Sequence, residues 1–159
     1  MMPHRRYNRG MWARRILGAV LLAMGAGKLS DVGGYALALA GFRVIPQGAL
    51  ASVAWTWLAC ELAAGALLLV GGRAARAGAV LALALNVAYA LMTTQAYARH
   101  LSIDNCTCFG VHLRQRLSGW VLAQDAYMIA LSAWVLAKSG SGAGAGRATP
   151  RSPAVSTRR

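Results

Sequence analysis

The chain has 159 residues, of which 57% are hydrophobic and only 13% charged, well below the charged share of about 25% usual in a soluble domain. Seventeen Lys and Arg stand against four acidic residues, Asp31, Glu61, Asp104 and Asp125, for a formal charge of +13. The cations lie between long uncharged stretches rather than on one amphipathic element. That is the pattern of membrane-protein loops, and it excludes nucleic-acid binding as the meaning of the charge.

A membrane-spanning helix needs about 20 apolar residues to cross a hydrocarbon core of about 30 Å. Four stretches approach that length, so the sequence predicts an all-α bundle of four transmembrane helices in a lipid bilayer. The first is 11–29, preceded by a basic arm at 1–10. Its uncharged centre, 16–27, is 12 residues long, or about 18 Å at helical rise. Arg14, Arg15 and Lys28 must therefore snorkel toward the interfaces. A basic start with a short apolar core also fits a cleaved signal peptide, although the small residues Ala23, Gly25 and Gly27 give no clean cleavage pattern. The next segment, 32–42, is uncharged but too short to span. It predicts an interfacial or re-entrant helix ended by Pro46. The second span, 48–72, is interrupted only by Glu61 and closes on the turn signal Gly71-Gly72-Arg73. The third, 77–98, has no charge, and the fourth, 117–137, is interrupted only by Asp125. From 138 to 159 a Ser, Gly, Ala, Pro and Arg tail without apolar periodicity reads as disordered. The bundle domain is thus 11–137.

Small residues at intervals of four line two faces: Gly78, Ala82, Asn86 and Ala90 in the third span, and Ala19, Ala23 and Gly27 in the first. Such faces let membrane helices approach closely, and Asn86 predicts a hydrogen bond between helices. Trp55, Trp57 and Trp120 fall near one set of span ends, where interfacial anchors sit.

Cationic residues set orientation. Twelve belong to the N-terminal segment through Arg15, the 71–76 turn and the tail, against five, Lys28, Arg43, Arg99, Arg114 and Arg116, in the opposite loops. Both termini are therefore expected in the cytoplasm, with the loop 99–116 outside. That loop holds Cys106-Thr107-Cys108. Two cysteines one residue apart can close a small strained ring, and strained disulfides exchange readily. The outer compartment permits disulfides. His112, Arg114 and Arg116 nearby would favour thiolate. Two alternatives stand beside redox exchange: a disulfide that only staples the loop, and a soft-metal or zinc site built from His100, Cys106, Cys108 and His112, for which the spacing is unusually tight.

Several segments together resemble the MauE family of methylamine utilisation proteins, within the wider DoxX-like group of four-helix membrane proteins. They are Gly25-Ala26-Gly27-Lys28-Leu29-Ser30-Asp31, Val44-Ile45-Pro46, Glu61, Cys106-Thr107-Cys108-Phe109-Gly110 and Asp125. The Cys-x-Cys-Phe-Gly string is the most specific, and the resemblance covers residues 12–137. It implies a part in maturing methylamine dehydrogenase, whose small-subunit disulfides form outside the cytoplasm, beside a thioredoxin-like partner. A quinone is a conceivable cofactor by analogy with other four-helix thiol oxidases. No sequence feature demonstrates one, and the chain lacks their second cysteine pair.

Four residues are the candidate catalytic set. Cys106 and Cys108 would attack and resolve, in an order the sequence does not give. Glu61, near the middle of a span, is costly there and is either a proton relay or quinone contact, or one half of a structural ion pair with Lys28. Asp125, about 12 Å along the fourth span from its start at Leu117, is either a proton acceptor for the thiols or a hydrogen-bonded structural group. Cys60, in apolar surroundings, is expected to be inert.

Overall fold

The computed structural model describes residues 4–106, 108 and 114–140. Among these every regular element is helical: α1 His4–Leu29, α2 Val32–Ala40, a 3-10 turn Gln47–Ala49, α3 Leu50–Val70, α4 Gly72–Ala98 and α5 Gly119–Gly140. Three helical segments, Gln47–Val70, Gly72–Ala98 and Gly119–Ser139, are long and apolar enough to cross a membrane. The fourth expected span differs: α1 qualifies only together with α2, and the two are bent by 94°. Helix α1 also begins inside the segment read as the basic arm. Helix α5 runs past Lys138, and the tail from 141 lies outside the described residues.

Neighbours in the bundle run α1 on α3, α3 on α4, α4 on α5, and α5 back on α1. Small residues decide how close they come. A Cβ on Gly65 of α3 would meet Leu22 Cγ at 2.8 Å and Gly18 O of α1 at 2.9 Å. On Gly78 of α4 it would meet Leu67 Cβ and Leu68 N of α3, both at 2.9 Å. The third-span stripe therefore packs as expected at Gly78, Ala82 and Asn86, all buried. The first-span stripe does not: Ala19 and Ala23 face outward, and the close approach falls to Gly18 and Gly25. Gly65→Ala is expected to cost about 1–3 kcal/mol, because beside the Leu22 side chain the new Cβ meets helix backbone at Gly18 that cannot rotate away. Unfolding in mixed detergent micelles would show this, and an unchanged midpoint would contradict the close contact.

Two hydrogen bonds fix the register of α4 against α5. Asn86 Nδ2 donates to Ser132 Oγ at 2.9 Å, and one heptad away on each antiparallel helix Thr93 Oγ1 donates to Asp125 Oδ2 at 2.5 Å.

The turn between α3 and α4 is a single residue, Gly71, at φ +88 with Arg14 of α1 lying over it. Only glycine tolerates that conformation cheaply. At its other end α1 stops beside Glu61, roughly 16 Å along α3 from Leu50. The break that follows satisfies its own backbone. Ser30 N–H donates to Ala26 O, Asp31 N–H to Lys28 O, and the Asp31 carboxylate accepts from Gly34 N–H at 2.8 Å as the cap of α2. Such local satisfaction is what irregular backbone requires in a membrane protein. Helix α2 lays Tyr35 and Leu39 against Ala54 of α3 and leaves Leu37 exposed. It ends at Ala40, before Pro46; Arg43 takes up a left-handed conformation (φ 55) and Pro46 instead opens the 3-10 turn.

Candidate functional site

The loop between α4 and α5 folds back onto the helices. Its two limbs pair through Cys106 N–H to Gln115 O at 2.8 Å and Leu117 N–H to Ile103 O at 2.9 Å. This presses Cys106 and Cys108 against Met24 of α1 and Val121 of α5, leaving them 4% and 7% exposed. Both are thiols, with sulfurs 3.2 Å apart, a distance at which one S–H can donate to the other sulfur. A second contact runs from Cys106 Sγ to Gln115 Oε1 at 3.8 Å.

The two thiols are electrostatically unequal. The hydrogen bond from Cys108 pulls the Cys106 thiol down from 9.0 to about 7, against the opposing effect of burial. Cys108 is pushed up, first by that same bond and then by burial and the nearby Asp125 carboxylate, while the Lys28 ammonium pulls it the other way. Among the described residues no cationic side chain of the loop figures among the causes of these two shifts. Arg116 instead reaches Asp104 at 3.5 Å in a pair more than four-fifths exposed, an arrangement worth little in water. Arg114 is exposed, and His112 lies outside the described residues, as do Thr107, Phe109 and Gly110.

Asp125 is buried in the second turn of α5, with Thr93 as its donor. Glu61 belongs to a second cluster. Lys28 Nζ donates to Glu61 Oε2 at 2.7 Å, to Glu61 Oε1 at 2.9 Å and to Tyr89 Oη at 2.9 Å, and both charged side chains are fully buried. All three ammonium protons are thereby used. The charge also lies 4.6 Å from the Tyr89 ring centroid and 5.3 Å from that of Tyr35, within cation–π range. The Tyr35 and Tyr89 hydroxyls are 3.4 Å apart.

The last turn of α1 joins the two clusters. Met24 packs on the cysteines, and Lys28, four residues on along the same face, binds Glu61. Cys108 lies within electrostatic reach of Lys28, Tyr35 and Tyr89. Cys106, Cys108 and Asp125 thus form one neighbourhood, with Glu61 one step further through Lys28. Tyr35, Tyr89, Thr93 and Gln115 were not singled out from the sequence. The available signal was that a tyrosine or threonine hydroxyl inside an apolar span must find a partner. Trp57 is also no interfacial anchor: it packs on Tyr89 with ring centroids 5.1 Å apart, whereas Trp55 and Trp120 are exposed. Cys60 is half-buried beside the core. Among the described residues no three His, Cys, Asp or Glu side chains converge as metal ligands would.

Residues 9–138 match the family model described as methylamine utilisation protein MauE. No curated protein and no solved structure matches the chain.

Proposed function

This chain belongs to the MauE family of methylamine utilisation proteins, and from that premise we propose that it exchanges thiols and disulfides with an extracytoplasmic, thioredoxin-like partner during maturation of an amine dehydrogenase. The observation that carries the reading is the 3.2 Å approach of the Cys106 and Cys108 sulfurs beside a buried carboxylate. Cys106 is the attacking thiolate, because its neighbour's S–H stabilises its charge.

In the direction that reduces the partner, the Cys106 thiolate attacks one sulfur of the partner disulfide. The partner's S–S bond breaks, its second sulfur leaves as thiolate, and a mixed disulfide joins the chains. Asp125 accepts the Cys108 proton. The Cys108 thiolate then attacks Cys106 Sγ, closes the Cys106–Cys108 bond and expels the other partner sulfur. Two electrons pass to the partner, and its thiolates take up the proton held by Asp125 and one from water. The reverse sequence donates a disulfide. Lys28 offers positive potential to Cys108 as it ionises, and Glu61 balances that charge when Cys108 is neutral. Both termini lie in the cytoplasm and the cysteine loop outside.

A membrane-impermeant alkylating reagent on intact cells tests the placement. Cys106 and Cys108 are expected to label, directly or after reduction, and Cys60 is not; failure to label under either condition would remove the proposal. On the reduced protein, labelling of Cys106 is expected to rise with pH through a midpoint near 7, since only the thiolate reacts and its fraction grows above that value. A midpoint near the ordinary 9.0 would deny Cys106 the attacking role.

A further inference from the structure

Gln115 lies opposite Cys106, and it stays there whatever its side chain does, because the two residues are joined by the backbone hydrogen bond at 2.8 Å. Its amide has two polar ends with two different neighbours. The oxygen Oε1 faces Cys106 Sγ at 3.8 Å and accepts from the thiol, while Nε2 donates to Gln124 Oε1 of α5 at 3.3 Å. Gln124 is the residue before Asp125. Both glutamines are half-buried, so they are partly shielded from competing water.

The Oε1 contact, taken by itself, suits a thiol and not a thiolate. Once the proton has left Cys106 for water at the loop, a carbonyl oxygen facing a sulfur anion is repulsive. A glutamine amide carries donors at one end and an acceptor at the other. Turning Gln115 by half a rotation therefore brings an N–H to the sulfur. Its Oε1 then faces Gln124, and a matching turn there restores the second bond as Gln124 Nε2–H to Gln115 Oε1. No hydrogen bond is lost, and one to an anion is gained.

We propose that Gln115 and Gln124 form a two-amide relay that follows the protonation of Cys106, with Gln115 donating to the attacking thiolate and Gln124 setting which way Gln115 faces. This rests on the thiol-exchange reading for its purpose. The amide geometry can be tested without it.

The test uses the full chain in detergent with Cys60→Ser and Cys108→Ser, so that Cys106 is the remaining cysteine, and follows alkylation by iodoacetamide across pH. Gln115→Leu removes the donor. The midpoint is expected to rise and the rate at neutral pH to fall roughly tenfold, the size of a lost hydrogen bond to a charged group. Gln115→Glu keeps the length and the acceptor but not the donor, and is expected to move the midpoint the same way. Gln124→Leu removes the group that holds Nε2 away from the sulfur. Its midpoint is expected to fall and its rate to rise severalfold. Opposite shifts from two neutral substitutions are not what loosened packing produces. Midpoints that move together or stay put, or a rate change equal at every pH, would overturn the relay. If the midpoints move as expected while maturation of the partner survives loss of both Cys106 and Cys108, the relay stands and the thiol-exchange reading falls.

Discussion

Cys108→Ser is expected to trap the partner on the membrane protein as a mixed disulfide through Cys106, and Cys106→Ser is expected to capture nothing. The asymmetry follows from the two sulfurs' surroundings. Cys106 receives its neighbour's hydrogen bond and holds a thiolate near neutral pH, whereas that same bond, then burial and Asp125, keep Cys108 protonated until it is needed. Without Cys108 the first exchange still occurs but nothing resolves it. Serine is close in size to cysteine and keeps a hydroxyl donor beside Cys106, so the contacts with Met24 and Val121 survive and the chain should still insert. Each single variant should lower partner maturation on the order of a hundredfold or more, because exchange depends on both thiolates in turn. Non-reducing separation of acid-quenched membranes, with mass analysis of the cross-linked species, reads the outcome. Trapping by Cys106→Ser instead would reverse the two roles and remove the case for Asp125 as the Cys108 base. Normal maturation in the double variant would falsify thiol exchange altogether.

Much of the fold is written in hydropathy and charge, because lipid imposes a length on each span that a sequence can be measured against. The second, third and fourth stretches became α3, α4 and α5 with shifts of a few residues at their ends. The first stretch shows where that measure stops. Its length hinted at trouble, but hydropathy carries no angle, and the 94° bend between α1 and α2 emerges only in the folded chain. The glycine faces show the same limit. Gly18 and Ala19 are adjacent and both small, and only the position of Gly65 across the interface decides which one is packed. At the site, Cys106, Cys108, Glu61 and Asp125 stood out because each is costly or reactive in an apolar chain. Their partners did not. Tyr89, Thr93 and Gln115 are ordinary residues, and they become part of the site through contacts between segments 9 to 61 residues apart in sequence.

Glu61→Gln or Lys28→Met alone is expected to destabilise the bundle by about 3–5 kcal/mol, since each leaves the other group charged, buried and short of a partner. Both side chains are fully buried, and the Tyr89 hydroxyl that Lys28 also reaches offers no counter-charge. The double variant Lys28→Met with Glu61→Leu removes both charges together. It is expected to recover most of the lost stability, as buried pairs replaced by apolar groups of similar volume commonly do. Unfolding in mixed detergent micelles across the cycle measures that coupling. Stability and activity should then part company. The rescued double variant folds, yet it no longer offers positive potential to Cys108, so resolution of the mixed disulfide should slow by roughly tenfold, about one pKa unit at the resolving thiol. Trapped intermediate should therefore accumulate in a protein of near-native stability. A double variant that is stable and resolves at the normal rate would reduce the Lys28–Glu61 pair to a packing device. One that stays as unstable as either single variant would mean that Tyr35 and Tyr89, left facing an apolar side chain, depend on the charge as much as the charge depends on them.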